Sequence, residues 1–131
     1  MEATLLLLAD AANRTSNGKL NVLGIFNIIN VKAFPAYHPQ MYIIAGLSVS
    51  PAEFDIGREI QIKICDSDAK TIFDWKSDFK VPRPSNGGYA SFQSILKVDG
   101  VIFPKPDTYQ VSLLINNDEK ATTKLYVNQV K

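Results

Sequence analysis

Ile60-Gln61-Ile62-Lys63-Ile64-Cys65 sets three isoleucines against three more polar neighbours, each one residue apart. Side chains leave an extended strand to opposite faces in turn, so a period of two marks a strand with one buried face. The pattern continues downstream. Phe73, Trp75 and Phe79 alternate with Asp74, Lys76, Asp78 and Lys80, and Tyr109, Val111, Leu113 and Ile115 alternate with Gln110, Ser112 and Asn116.

Upstream, Met41 to Ser50 places Met41, Ile43, Ala45, Leu47 and Val49 on one face of a further strand. Thr4 to Ala12, with Leu5 to Leu8 consecutive, reads as a strand covered on both faces; a short helix is the alternative, since leucine and alanine favour helices. Asn13 to Gly18 ends in Asn-Gly, a strong hairpin signal because both residues tolerate positive φ. Leu20 to Val31 follows as one long strand with a break. Leu20, Val22 and Gly24 share one face, Leu23 and Ile25 the other, and Gly24 marks a bulge or a close backbone approach. Phe34 to Pro39 holds two prolines, which suits a loop. Beyond it lie strands at Arg58–Asp66, Thr71–Val81, Tyr89–Val98, Thr108–Asn116 and Lys120–Val130. Turns are expected at Ser67–Lys70, Asp99-Gly100 and Asn117-Asp118, and loops at Pro82–Gly88 and Phe103–Asp107. Ala90, Phe92, Leu96 and Val98 point inward.

About eight strands and no helix of three turns leave a second sheet as the only cover for each dry face. The expected fold is all-β, a single-domain antiparallel β-sandwich over residues 1–131, immunoglobulin-like or Greek-key. A closed β-barrel is the alternative.

The 131 residues carry 14 basic and 13 acidic side chains, and no two basic residues are adjacent. That balance offers no footprint for nucleic acid or an anionic membrane surface. Cys65 is the only cysteine, so no internal disulfide forms, and a reducing compartment fits best. Leu5 to Leu8 is too short for a signal peptide, is preceded by Glu2 and is interrupted by Asp10. No segment approaches the ~20 apolar residues of a membrane span. The expected location is cytoplasmic, with no nucleic-acid and no membrane partner.

Chemistry-bearing residues are few. His38 is the only histidine, fixed between Tyr37 and Pro39, and no Gly-x-Ser-x-Gly or comparable nucleophile signature occurs. One histidine and one cysteine cannot furnish a zinc site without several carboxylates. Asp66 and Asp68, with Asp74 and Asp78 nearby, form the one acidic group, and hard oxygen ligands on a loop suit Ca²⁺. Aspartate in a hairpin turn more commonly caps its own backbone. Arg83 to Gly88 lacks a phosphate-loop pattern, and the aromatic series around Trp75 reads as core instead of a stacking platform. Asp10, set in an apolar run, is expected to satisfy a neighbouring loop. No catalytic residue and no cofactor are expected.

Tyr42 and Ile44 oppose the apolar face of their strand, while Leu114 and Tyr126 interrupt polar faces near the C-terminus. Gathered on one sheet face, these four residues would form an apolar contact patch, and an exposed edge strand offers a second route to association. The expected function is a non-enzymatic interaction module that binds a protein partner or itself. The alternative is a small-ligand or Ca²⁺-binding sandwich using the loop around Asp66 and Asp68.

Leu8-Ala9-Asp10-Ala11, Gly18-Lys19-Leu20-Asn21-Val22-Leu23-Gly24-Ile25-Phe26 and Phe34-Pro35 together resemble the opening of a family of small bacterial proteins known only as a domain of unknown function. Phe103-Pro104 and Asp107-Thr108-Tyr109-Gln110-Val111 resemble its tail, with Asp107 where such patterns often carry glycine. The resemblance spans most of the chain and implies a β-sandwich with no assigned activity. Its motifs are turn and strand markers, so it carries over no functional residue.

Overall fold

The computed structural model describes residues 1–131. Its strands are β1 (Glu2–Arg14), β2 (Leu20–Phe26), β3 (Ile28–Val31), β4 (Ala36–Val49), β5 (Arg58–Cys65), β6 (Thr71–Phe79), β7 (Ala90–Phe103), β8 (Asp107–Ile115) and β9 (Asp118–Gln129), with one 3-10 turn at Pro51–Glu53. A four-stranded sheet, ordered β2-β1-β4-β7, faces a five-stranded sheet, ordered β3-β9-β8-β5-β6. No helix is long and apolar enough to cross a membrane.

The alternation read from β5 sets the core. Ile60, Ile62 and Ile64 pack with Val111, Leu113 and Leu125 from the five-stranded sheet and with Leu8, Met41, Ile43 and Val98 from the other. Each isoleucine so buried contributes about 1.5–3 kcal/mol. Trp75 and Phe79 pack against this core from β6, and Phe79 stacks on Phe92 of β7 at 4.4 Å, joining the layers at that edge. Together the faces make a sandwich-like pair of layers, and no ladder joins the two sheets into a barrel.

Several local expectations are corrected. Thr4–Ala12 is strand, and the helix alternative falls: pairing with both β2 and β4 satisfies its backbone on either side. Nine strands form instead of about eight, because Leu20–Val31 divides at Asn27 and its second half, β3, crosses to the other sheet. There β3 runs parallel to β9, an exception to the antiparallel expectation. Phe34–Pro39 is not all loop, since β4 begins at Ala36 and pairs with Phe103. Proline is tolerated at position 39 because the β1 ladder ends at Tyr42, leaving that side of β4 an open edge. Asp99-Gly100 is not a turn either: β7 continues to Phe103, and Gly100 takes φ 81° within the strand. A Cβ there would stand 2.9 Å from the Tyr37 ring, so glycine lets the ring lie across the neighbouring strand.

Gly24 marks no bulge, since the β1–β2 register is unbroken from Leu8↔Phe26 to Arg14↔Leu20. It has φ 68°, and a Cβ on it would meet the Asp10 carboxylate at 2.6 Å, so the close neighbour is a side chain and not a backbone. Asp10 itself is exposed and bonds no loop, contrary to expectation, because it sits where the β1 face runs past the end of the core.

Candidate functional site

Asp66 and Asp68 lie in the turn between β5 and β6. Asp66 is buried, and its Oδ1 accepts the N–H groups of Asp68 at 2.9 Å and Lys70 at 2.8 Å. The carboxylate thus closes its own turn. The loop before β8 brings a cation into the group: Lys105 Nζ stands 3.4 Å from Asp68 Oδ2, 3.6 Å from Asp107 Oδ2 and 3.9 Å from Asp66 Oδ2. Asp107 Oδ2 also accepts the Ser67 N–H at 3.1 Å and the Ser67 hydroxyl at 2.8 Å. These bonds, the backbone one foremost, hold the Asp107 carboxyl below the usual range. The hydrogen bond to Asp68 raises the Lys105 ammonium above its usual value.

Lys105 therefore places its own cation among the carboxylates of this loop. Asp74 and Asp78 do not join it. Asp74 accepts a hydrogen bond from Gln61 Nε2 at 2.9 Å, and Asp78 pairs across from Glu59 toward the far end of the sheet. No three His, Cys, Asp or Glu side chains are placed to share a metal ion. His38 is half-buried with its ring 6.0 Å from Phe26, and the Cys65 thiol lies 3.5 Å from the Thr71 hydroxyl.

The four residues picked for a contact patch do not gather. Tyr42 and Ile44 belong to the outward face of the four-stranded sheet, while Leu114 and Tyr126 belong to the outward face of the five-stranded one. The two sheets present opposite sides of the molecule, so a single patch of all four is excluded. Leu114 is half-buried among Gln61 and Glu119, and Tyr126 is partly exposed beside Thr108.

The outward face of the four-stranded sheet is apolar over part of its register: one row runs Ile25, Ala9, Tyr42 and ends at Lys97, and the next runs Leu7, Ile44, Ile95. At its β2 border Leu23 and Ile25 are 68% and 63% exposed, the feature that sequence reasoning left unused. Their signal was present, since both fall on the face of β2 opposite Leu20 and Val22. A cleft of about 330 Å³ opens beside them, lined by Leu7, Leu8, Ile25, Phe26, Asn27 and Thr123.

Ile44 contradicts its expected exposure. It is 0% exposed although it lies outside the core cluster. Its register sets Leu7 of β1 and Ile95 of β7 on either side of it.

A family model described as a family of unknown function (DUF6941) matches residues 4–128. No curated protein matches the chain.

Proposed function

The chain belongs to that family of unknown function, and from this premise we propose that it is a non-enzymatic interaction module docking a protein through the β2 border of its four-stranded sheet. The observation that carries the reading is the pair Leu23 and Ile25, adjacent on one strand face and each about two-thirds exposed. Ile25 also lines, with Leu7, the cleft at Asn27. Either a second copy or another protein fits such a surface. The lone thiol of Cys65 supports a cytoplasmic setting.

The finer fold reading, a Greek-key or immunoglobulin-like sandwich, is supported by Tyr109. Its hydroxyl donates to a carbonyl four residues upstream, the tyrosine-corner arrangement of such sandwiches. The calcium alternative is weakened by Lys105, whose ammonium already stands within 3.9 Å of the Asp66 and Asp68 carboxylates.

Sedimentation velocity and capture of partners from the native host test the proposal, comparing wild type with the double variant Leu23→Lys, Ile25→Lys. We expect association in the wild type, its loss in the variant, and unchanged Trp75 emission in both. A wild-type chain that stays monomeric at high concentration and retains no partner overturns the reading.

A further inference from the structure

A second cleft opens over β5, β8 and β9, on the outward face of the five-stranded sheet and away from Leu23 and Ile25. Its volume is about 330 Å³. Ser112 lines its floor and is only 2% exposed, although it lies on an outward strand face. The Ser112 hydroxyl accepts from Gln110 Nε2 at 3.4 Å and donates to no acceptor in the protein. A buried hydroxyl thus keeps its proton free for whatever fills the cleft.

Two lysines flank this floor. Lys63 stands directly across from Ser112 on β5, and Lys124 across from Gln110 on β9, so the pair straddles β8. Neither takes part in any of the chain's ion pairs. Lys63 is half-buried, where an unmatched charge is costly, and its neighbour across the ladder, Asp74, accepts from Gln61 Nε2 at 2.9 Å instead. Asp66 also borders the cleft, but its carboxylate is committed to its own turn and to Lys105. Glu119, in the Leu114 row at one end, and Thr108, at the other, have no such commitment.

We propose that this cleft binds a small hydroxylated anion, a sugar phosphate or sugar acid: Lys63 and Lys124 pair with its phosphate or carboxylate over Ser112, and its hydroxyls meet Gln110, Thr108 and Glu119. The volume falls at the lower end of ligand cavities, about 300–1,000 Å³, which suits a molecule of that size. A neutral sugar offers the same hydroxyls but leaves both ammoniums unmatched. The site is independent of the docking surface on β2.

Amide resonances of the nitrogen-labelled chain test it, titrated with glucose phosphate, with gluconate and, as the neutral control, with glucose. At least one of the two anions is expected to move the amides of Lys63, Gln110, Ser112 and Lys124 saturably, and the arm that responds identifies the anionic group. Glucose is expected to leave them in place. Lys63→Gln and Lys124→Gln are each expected to weaken binding by about tenfold, the factor that one charge-assisted hydrogen bond carries, with Trp75 emission unchanged. No saturable shift from either anion overturns the proposal, as do equal shifts from glucose or shifts that survive both substitutions together.

Discussion

Tyr109 donates a hydrogen bond from its hydroxyl to the carbonyl of Lys105 at 2.7 Å, tying the buried start of β8 to the loop that carries the Lys105 ammonium. Its ring is fully buried and meets Phe103 edge-on at 5.0 Å. Burial pushes the hydroxyl's pKa up, as removal from water disfavours the phenolate. Tyr109→Phe keeps the ring and removes only the donor. The expected loss is about 1 kcal/mol, read as a lower urea midpoint at unchanged slope. Tyr109→Ala adds a cavity and is expected to cost about 3–5 kcal/mol.

Lys105 is surrounded by Asp66, Asp68 and Asp107 within 3.9 Å. Lys105→Ala leaves three carboxylates facing one another with no counter-charge. The variant is expected to melt lower than wild type, and neither chain is expected to gain stability in millimolar Ca²⁺, since no three of these side chains are placed to share an ion. A calcium-dependent rise in the wild-type melting temperature would revive the ion-binding alternative.

Glu53 closes the 3-10 turn by accepting from the Ser50 N–H at 3.0 Å and the Ser50 hydroxyl at 2.9 Å, and it also pairs with the Met1 ammonium. The bond from that ammonium is the main cause that lowers its carboxyl from 4.5 to about 2. A depressed carboxyl stabilises the fold above its unfolded value, and that contribution disappears as pH falls through the folded one. Stability is therefore expected to decline between pH 4.5 and about 2. Glu53→Gln is expected to cost about 2 kcal/mol at neutral pH and to flatten this decline, measured by urea unfolding at stepped pH. Asp107, also depressed, acts in the same direction.

Period-two alternation is legible where one face is dry, as in β5, β6 and β8, because burial alone dictates the pattern. It carries no information on which sheet a strand joins. Leu20 to Val31 alternates through Asn27, although the chain changes layer there and then pairs in parallel with β9. Pro39 and Gly100 read as loop and turn because local rules assume a two-sided ladder; an open edge and the flat Tyr37 ring remove that assumption. At the acidic loop, Asp66 as a turn cap was legible from its position, since its partners are two and four residues away. Lys105 was not, as it lies 37 residues from Asp68 and is brought there only by the sheet. Likewise Tyr42 and Ile44 were correctly separated from the core face of β4, but strand pattern says nothing of which strands flank them, and Ile44 between Leu7 and Ile95 has no exposed surface.

Ile44 gives the sharpest check of that burial. On a flat, open sheet face, Ile44→Ala would remove a side chain from water and change stability by less than about 0.5 kcal/mol, as at other surface positions. Buried between Leu7 and Ile95, it loses contacts and leaves a cavity, at an expected cost of about 2–4 kcal/mol. Leu23→Ala, at the exposed border of the same face, is expected to stay within about 0.5 kcal/mol of wild type. Urea midpoints for the two variants therefore separate a lining that holds the sheet together from a border left free to make contacts. Equal, small losses at both positions would mean that the sheet is open over Ile44.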